Sequence, residues 1–376
     1  MQKLSVKLLE PGMLTHGRVL TADGAVLLGS EVVLNANYIR GVKRLGVSSV
    51  FIKNSILDSI GLEYEETLAE DAKVEAVAII KECFAEAKAG RMLDVYKIST
   101  LAKTIIESVK HNQLIRLDNS FTPDNYLYIH CVNVAALVTV IAHDLGFTEK
   151  RLHELVMGAL LHDIGIALLD QEKDFAYQEN DIEHPTAGFD YVRKLRGYST
   201  VSSHIVFQHH ECYDGSGYPR KLHEKAIHEY ARITAIADTY DLLISEWSGK
   251  HPLLPHEAYE ALMAMSLHAF DKVIADLFLA KLPLYPVGTF VKLDTGHTGV
   301  VTRALPKLQS RPTVTIIRAA DGTFLPQPLT VDLTQLLTTF ITYVLTEKEV
   351  VELTKEYDTA MAAAPQLAID SQHGKI

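Results

Sequence analysis

The spacing of apolar residues divides this chain into a helical centre and a strand-rich C-terminal part. From residue 68 onwards, apolar residues recur every three or four positions, the period of helices that bury one face. This period predicts helices at 68–88, 95–109, 126–145, 149–162, 186–195, 201–210, 230–244 and 255–282. After Pro283 apolar and polar residues alternate, which predicts strands at 289–293, 299–303, 313–318 and 323–325.

The first 60 residues combine both periods. Alternation from 17 to 28 around Asp23-Gly24 predicts a hairpin, 35–45 has helical spacing, and 47–53 is predicted to be a short strand. We therefore predict a mainly α fold with small flanking modules. The predicted divisions are an N-terminal α/β module at 1–60, a helical linker region at 61–123, a helical domain at 124–285, a small β-barrel-like module at 286–345, and a C-terminal helix and tail at 346–376.

Composition narrows the class of protein. The chain has 376 residues, 48% of them apolar, which is enough for two or three domains with hydrophobic cores. It contains no run of 18 uninterrupted apolar residues, so we expect no membrane span. Its first residues lack the charged and then apolar layout of a signal peptide. Three scattered cysteines are too few for a disulfide framework, which predicts a cytoplasmic protein.

The charge of the chain argues against a long nucleic-acid partner. Its formal net charge is −11 and no Lys/Arg-rich run occurs, whereas neutralising a phosphate backbone needs clustered cations. A small phosphate-bearing ligand stays compatible with this charge, because bound metal ions can supply local positive charge.

Histidines provide the candidate chemistry. Seventeen occur, and a lone histidine is usually a surface or core residue, so spacing and neighbours must carry the argument. Adjacent His209 and His210 begin the block 209–219, whose glycines allow tight turns. An isolated His184 lies upstream of this block. Together these side chains predict nitrogen ligands for a metal.

Two carboxylates lie in unusually apolar surroundings. The pair His162-Asp163 follows the apolar run 155–161, and Asp238 ends the mostly apolar segment 231–238. Burying a carboxylate is costly unless a cation or partner compensates, so Asp163 either bridges two metals or merely caps a turn. A mixed set of nitrogen and oxygen ligands suits Fe, Mn, Zn or Ni better than Mg or Ca.

A second His-Asp pair has a simpler explanation. His143-Asp144 occurs where a predicted helix ends before Gly146, so the glycine is interpreted as the helix C-cap. His143 would then lie at the negative end of the helix dipole. We assign this pair no role in metal binding.

The combined motifs resemble the HD-GYP subgroup of the HD phosphohydrolase superfamily. The resemblance covers roughly residues 124–285 and rests on His162-Asp163, on the 209–219 block that ends in Gly217-Tyr218-Pro219, and on the segments 231–233 and 237–241. It implies an HD-type helical bundle that hydrolyses the bacterial second messenger cyclic di-GMP at a binuclear or trinuclear metal centre.

The resemblance also implies the site residues. The implied metal ligands are His130, His162, Asp163, His184, His209, His210 and Asp238. Asp163 and His162 are the implied catalytic residues, and Gly217 and Tyr218 the implied substrate contacts. We expect two divalent transition-metal ions, with Fe or Mn favoured and Zn or Ni as alternatives.

The sequence departs from the family pattern in the phosphate contacts and the metal count. Tyr126 stands where three-metal members carry a glutamate, which favours two metals. Ile166 and Trp247 occupy positions where the family usually has a lysine and an arginine thought to contact phosphate. Arg220 and Lys221 are candidate replacements, although the sequence slightly favours their interpretation as solvated loop residues. The segment between Asp163 and His184 is also shorter than usual.

Three functional hypotheses follow. The first is a metal-dependent phosphodiesterase that converts cyclic di-GMP to linear pGpG and, with a second cut, to GMP. The second is a degenerate receptor or interaction module with little turnover, because the family's lysine and arginine are missing at the positions of Ile166 and Trp247. The third is an HD phosphohydrolase acting on another cyclic dinucleotide. The flanking modules carry no visible chemistry, so we expect them to serve a homodimer or a signalling-protein partner.

Overall fold

A small α/β unit forms the N-terminal part of the chain. The computed structural model describes residues 2–20, 26–62, 67–68, 70–109, 115, 125–169, 182–245, 252–266, 268–305 and 308–363. The first elements are β1 (Gln2–Ser5), β2 (Val19–Leu20), β3 (Val26–Leu28), α1 (Ala36–Arg44), β4 (Ser49–Ile52) and α2 (Ser55–Ser59). The predicted hairpin is confirmed, since β2 pairs antiparallel with β3, while Asp23-Gly24 lies outside the described residues. Strand β1 pairs antiparallel with β4.

A helical bundle forms the centre. Its helices are α3 (Glu70–Lys88), α4 (Val95–Val109), α5 (Tyr126–Asp144), α6 (Glu149–Leu160), α7 (His184–Val192), α8 (Thr200–Gln208), α9 (Glu229–Ile244), α10 (Pro255–Met265) and α11 (Lys272–Leu279). A single hydrophobic core extends from Leu68 to Leu282. The prediction of a mainly α fold is confirmed.

Helix α5 runs through the middle of this bundle. It is buried from Leu127 to Ala142 on all sides, as expected for a helix that is apolar all round. Its length and apolar composition alone would allow it to cross a membrane, but 89% of its most apolar window is buried inside the protein. Such burial is typical of a core helix.

The predicted helix at 255–282 is wrong, because the chain breaks between α10 and α11. The carbonyl oxygens of His268 and Ala269 accept hydrogen bonds from the backbone N–H groups of Asp214 (3.1 Å) and Tyr213 (2.8 Å). Asp271 then caps α11 by accepting from the N–H of Val273 at 3.0 Å. At this break, carbonyl groups that would bond within a continuous helix instead accept hydrogen bonds from the 209–219 block.

A five-stranded antiparallel sheet follows the bundle. Its strands are β5 (Phe290–Leu293), β6 (Thr298–Arg303), β7 (Thr313–Arg318), β8 (Phe324–Asp332) and β9 (Ile341–Val344), in the order β8-β7-β6-β5-β9. The predicted strand at 323–325 is only the start of β8, whose alternation is interrupted by Pro326 and Pro328. Prolines are tolerated there because β8 is an edge strand. Strand β9 was not predicted.

The two ends of the chain share a core. Ile56 and Leu57 of α2 pack with Phe290 and Ile317 of the sheet and with Leu353 of the last helix, α12 (Glu347–Ala363). The N-terminal module and the C-terminal modules are thus in direct contact, although the sequence predicted them as separate units. The predicted boundaries at 60, 123, 285 and 345 stay predictions.

Asn54 is the polar centre of this contact and provides a test of it. It is buried, its Oδ1 accepts from the N–H groups of Ile56 and Leu57, and its Nδ2 donates to Gln2 (2.8 Å) and Thr354 (2.9 Å). We expect Asn54→Ala to lower the free energy of unfolding by about 1–3 kcal/mol, because four hydrogen bonds lose a partner.

Urea denaturation measures this loss. The exposed Asn37 is the matched control, and Asn37→Ala should change the free energy of unfolding by less than about 0.5 kcal/mol. Equal stability of the two variants would show that the contact between the chain ends contributes nothing.

Candidate metal centre

The seven ligand candidates converge from five helices and the loops that follow them. They are His130 in α5, His162 and Asp163 in the turn after α6, His184 at the first position of α7, His209 and His210 directly after α8, and Asp238 in α9. All are buried except His210, whose side chain is 15% exposed. The fold therefore assembles the whole predicted set.

Asp163 lies between two groups of histidines. Its Oδ1 is 3.2 Å from Nε2 of His184 and 3.4 Å from Nε2 of His209. Its Oδ2 is 3.4 Å from Nε2 of His162 and 3.8 Å from Nε2 of His130. The ligand atoms fall into two groups, each within 4.8 Å, namely Asp163, His184, His209 and His210, and His130, His162 and Asp163. Two cations could thus share this carboxylate.

Asp238 approaches both groups from the side of α9. Its Oδ1 lies 2.9 Å from Nε2 of His130 and 4.0 Å from Nε2 of His162. Its Oδ2 lies 3.9 Å from Nδ1 of His210. Asp238 is therefore placed to ligate a cation in either group.

Unsatisfied buried atoms show that this centre fits a metal. Neither carboxylate oxygen of Asp163 accepts a hydrogen bond of good geometry from the described residues, and Nε2 of His210 has no partner among them. Burial opposes ionisation of Asp163, but the imidazoles of His162, His184 and His209 outweigh it and hold its pKa well below the usual range. A buried carboxylate without donors, surrounded by imidazole nitrogens, suits a divalent transition metal.

The protonation of His162 and His210 suits the same role. Burial lowers the pKa of His162 to about 4 and lowers that of His210 well below its usual value. Nδ1 of His162 lies 2.7 Å from the carbonyl oxygen of Ala159, and Nδ1 of His209 lies 3.1 Å from that of Val206. Donation to these carbonyls leaves the Nε2 lone pairs directed towards Asp163.

Asp241 holds His130 in place and was missed at the level of sequence. Its Oδ2 is 2.8 Å from Nδ1 of His130 and accepts from the hydroxyl of Tyr126 at 3.3 Å, while Oδ1 accepts from Nδ2 of Asn133 at 2.8 Å. Burial opposes protonation of His130, yet its bonds to Asp238 and Asp241 outweigh burial and raise its pKa to about 10. A bound metal would displace the proton from Nε2 of His130, and the carboxylate behind Nδ1 would then orient the ring and fix its tautomer.

A signal for Asp241 is present in the sequence. It follows Asp238 by three residues on α9, a spacing that places both side chains on one face of a helix. The segment 237–241 is part of the resemblance to the family, but spacing alone could not show which histidine Asp241 would contact.

A glycine brings α7 close to the His162-Asp163 turn. A Cβ atom on Gly165 would lie 1.9 Å from the carbonyl oxygen of His184 and 2.7 Å from the nitrogen of Gly188. Only a residue without a side chain permits this approach. Gly165 therefore positions His184 as a ligand.

The 209–219 block is folded around Glu211. This buried carboxylate accepts hydrogen bonds from the N–H groups of Arg220 (2.7 Å) and Leu222 (2.9 Å). A Cβ atom on Gly217 would lie 2.4 Å from the carbonyl oxygen of His210 and clash with its neighbours. The Tyr218 ring stacks on the His210 ring at 4.8 Å. The block thus presents Tyr218 next to the metal ligands, with Glu211 as an organising residue that sequence reasoning had not singled out.

The candidate phosphate contacts Arg220 and Lys221 lie on the protein surface and not among the metal ligands. Arg220 and Lys221 are exposed, and the Arg220 guanidinium lies 5.9 Å from the ring of Phe207. Ile166 is half-buried and packs against the bundle core. Trp247 lies outside the described residues.

A pocket of about 630 Å³ opens beside the metal ligands. Its lining residues are His209, His210, Glu211, Cys212, Ser216, Gly217, Tyr218, Ala235, Asp238, Thr239, Leu242, Leu243, Leu253, Met265, Ala269 and Phe270. Gly217 and Tyr218 are thus brought to the pocket as predicted from the sequence, whereas Arg220 and Lys221 are not among its lining residues. The volume is in the range of small-molecule sites.

Comparisons with known proteins find similarity in two segments of the chain. Residues 100–274 match the family model described as HD domain, and residues 290–353 match the model described as KOW domain associated with HD domain. The cyclic di-GMP phosphodiesterase PA4108 of Pseudomonas aeruginosa is 32% identical over 251 residues, which cover 64% of this chain and 60% of the relative.

Further relatives are similar over shorter stretches. The 3'3'-cGAMP-specific phosphodiesterase 2 of Vibrio cholerae is 31% identical over 40% of this chain and 30% of its own length. The cyclic di-GMP phosphodiesterase of Thermotoga maritima is 30% identical over 40% of this chain and 43% of its own length. Among solved structures, the HDG"Y"P protein Bd1817 of Bdellovibrio bacteriovorus matches with a TM-score of 0.45 and 17% identity, covering 74% of this chain and 98% of that one. The chain spans 60% or less of the length of these curated relatives.

The role of Asp241 can be tested through metal binding. We expect Asp241→Asn to weaken the binding of Mn²⁺ by about 10- to 100-fold, because His130 loses the charged acceptor that orients it. Isothermal titration of metal into the purified protein measures this change, and circular dichroism checks the fold.

Tyr126→Phe is the matched control for this test. It removes the hydroxyl that donates to Asp241 at 3.3 Å and keeps the carboxylate, so its metal affinity should stay within about threefold of the original. Unchanged affinity and stoichiometry in Asp241→Asn would show that this carboxylate does not support a ligand.

Gly165→Ala tests the close approach of α7. The added Cβ would push His184 outwards, so we expect loss of metal from one group and a free energy of unfolding lowered by about 1–3 kcal/mol. Gly41→Ala in α1, where nothing lies within 4 Å of the added atom, should leave both quantities unchanged or slightly raise stability. Normal metal content in Gly165→Ala would refute the positioning role.

Proposed function

Because residues 100–274 belong to the HD domain family, we propose that this protein is a metal-dependent phosphodiesterase that hydrolyses cyclic di-GMP to linear pGpG and further to GMP. The observation that carries the proposal is Asp163, a buried carboxylate shared by two groups of imidazole ligands, one of which contributes His209 and His210 to the lining of a nucleotide-sized pocket. The names of relatives from several bacteria support this substrate class.

Two divalent ions are proposed for the centre, with Fe or Mn favoured over Zn or Ni. One group would be held by His130 and His162, the other by His184, His209 and His210, with Asp163 common to both and Asp238 beside them. When bound, such ions would supply a nucleophile from water at neutral pH and neutralise charge on the phosphodiester.

The residues of the chain have distinct proposed roles. Asp163 and His162 would hold the cations at the reacting phosphate, and Asp241 would keep His130 oriented towards them. Tyr218 and Gly217 would contact the substrate, since they line the pocket beside His210. The apolar remainder of the pocket would exclude bulk water and so strengthen the electrostatic interactions within it.

Arg220 and Lys221 are proposed to attract the anionic substrate from the rim. Both are exposed on the loop that continues from Tyr218, and the chain carries a formal charge of −11. Local cations would therefore counteract a generally repulsive field. We propose a cytoplasmic location, where such a substrate occurs, and assign the flanking modules to a homodimer or a signalling-protein partner.

One observation favours a receptor with little turnover as the second candidate. Among the pocket-lining residues within the described ranges there is no lysine or arginine, and Ile166 packs into the core instead of reaching the pocket. A protein of this kind would bind cyclic di-GMP through the metal centre and the apolar walls without efficient cleavage.

Turnover of cyclic di-GMP by protein reconstituted anaerobically with Fe(II) or Mn(II) tests the proposal. We expect pGpG as a product, and a loss of more than about 100-fold in Asp163→Asn, because the shared ligand is weakened. Asp144→Asn, in the other His-Asp pair, should retain activity within about twofold, since it alters only a partly exposed ion pair with Lys281.

Two results would contradict the proposal in different ways. Tight binding of cyclic di-GMP by metal-loaded protein without product would support the receptor. Equal activity of Asp163→Asn and the original protein would place the chemistry outside this centre.

A further inference from the structure

The break between α10 and α11 is held differently at its two ends. At the α10 end, the backbone N–H groups of His268 and Ala269 donate to the carbonyl oxygen of Met265 at 3.0 and 2.8 Å. At the α11 end, the side chain of Asp271 forms an ion pair with Arg232 of helix α9. The position of this second end therefore depends on a contact between the side chains of two helices.

Asp271 uses its two oxygens for different contacts. Its Oδ1 accepts from the backbone N–H of Val273 at 3.0 Å and so caps α11, while its Oδ2 accepts from Nη1 of Arg232. The side chains of Arg232 and Asp271 are only 14% and 13% exposed. A pair shielded in this way is screened less by salt than a surface pair, so it can fix the start of α11 against α9.

Arg232 is itself held by a second contact. Its Nε donates to the carbonyl oxygen of Ile227, in the turn before α9, at 3.2 Å. The guanidinium is planar, so fixing Nε also fixes the direction in which Nη1 approaches Asp271. Ile227 is buried, so this acceptor lies in a well-packed part of the chain. Arg232 therefore connects the start of α9 with the break.

The break carries two parts of the site. The carbonyl oxygens of His268 and Ala269 accept hydrogen bonds from the 209–219 block, which contains Tyr218. Ala269 and Phe270 also line the pocket. A shift of the break would therefore move the pocket wall and the loop of Tyr218 together.

Arg232 and Asp271 lie away from the reacting atoms. Neither is among the lining residues of the pocket within the described part of the chain. Arg232 precedes Asp238 by six residues on α9, and a rise of about 1.5 Å per residue separates them by about 9 Å along the helix. Any effect of the ion pair on the reaction must pass through the segment that it holds.

We propose that Arg232 and Asp271 are positioning residues, which hold the break against α9 and thereby set the places of Tyr218 and of Phe270 at the pocket. The metal ligand His209 is held separately, since its Nδ1 lies 3.1 Å from the carbonyl oxygen of Val206 in α8. Loss of the ion pair would then weaken substrate binding without loss of metal. The kinetic part of this inference rests on the proposed function.

Asp271→Asn separates the ion pair from the helix cap. Asparagine caps helices as well as aspartate does, so the variant keeps the bond to Val273 and loses the charge that attracts Arg232. We expect KM of the manganese-loaded protein for cyclic di-GMP to rise about tenfold, with kcat within about twofold and an unchanged manganese content. A residue that served stability alone would lower the urea midpoint and leave KM unchanged, and that result would overturn the proposal.

Asp276→Asn is the matched control. Asp276 lies on the same helix and forms an ion pair with Lys272, but these side chains are 56% and 63% exposed. Exposed pairs contribute little, so KM should stay unchanged in this variant. An equal rise of KM in both aspartate variants would assign the effect to the charge of α11 and reject the positioning role.

Variants of Arg232 test whether the two residues act as a pair. Arg232→Lys keeps the charge but not the planar fork, so we expect it to raise KM less than Arg232→Gln does. Combining Arg232→Gln with Asp271→Asn should raise KM no further than either change alone, because each removes the same contact. Effects that multiply would show that the two residues act independently and would contradict the proposal.

Hydrogen exchange measures the attachment of the loop without any substrate. The N–H groups of Tyr213 and Asp214 donate to the break, so peptides that cover the 209–219 block report on this contact. We expect these peptides to exchange about tenfold faster in Asp271→Asn, while peptides of α5 keep their rate. Faster exchange confined to α11 would leave Asp271 only a capping role, and equal acceleration in α5 would indicate general destabilisation. Either result would overturn the proposal.

The two measurements keep this inference separate from the proposed function. Absence of turnover in the original protein would reject the phosphodiesterase. Hydrogen exchange in the 209–219 block would still decide whether the ion pair of Arg232 and Asp271 holds the loop.

Discussion

The buried carboxylate of Asp163 is the constraint on which the centre of this protein depends. Moving such a group out of water costs several kcal/mol even after relaxation, and no described residue donates a hydrogen bond of good geometry to it. Four histidines from four elements of the bundle surround it instead, so the folded state requires positive charge there. The close contact at Gly165 and the carboxylate of Asp241 follow from the same requirement, because both hold imidazole rings at the distance that a shared cation needs.

The loop next to the centre is held by backbone contacts as much as by its own sequence. Glu211 closes the loop on itself, and the carbonyl oxygens of His268 and Ala269 tie it to the break between α10 and α11. The same break places Met265 and Phe270 in the pocket wall. One interruption of a helix therefore both anchors the loop that carries Tyr218 and contributes Met265 and Phe270 to the apolar wall of the pocket. The position of the reacting group and the shape of the binding site are coupled through this segment.

The sequence predicted best what depends on local period and on residue type. The helices of the bundle follow from apolar spacing, and the His/Asp inventory indicated a metal centre because buried carboxylates need compensation. The break in 255–282 could not be predicted, because the hydrogen bonds that favour it come from Tyr213 and Asp214, in a loop far earlier in the chain. Strand β8 was shortened in the prediction since Pro326 and Pro328 conceal its alternation. The partner of Asp241 depends on how α5 packs against α9, which no local pattern contains.

The missing basic residues change how binding energy would be distributed. Where lysine and arginine hold the phosphates of a nucleotide, affinity falls with rising salt, since exposed charges are screened. Here the described pocket offers metal ligands at one end and apolar walls at the other, and Arg220 and Lys221 remain on the exposed rim. Buried metal ligands are screened much less than exposed cations, and apolar contact is insensitive to moderate salt. Affinity in this chain would then come from the metal centre and the apolar walls of the pocket, while Arg220 and Lys221 would govern the rate at which the substrate associates. On this view Ile166, at a position where the family usually has a lysine, is compatible with an enzyme, provided that the apolar walls hold the substrate firmly enough to keep its phosphodiester at the metal ligands.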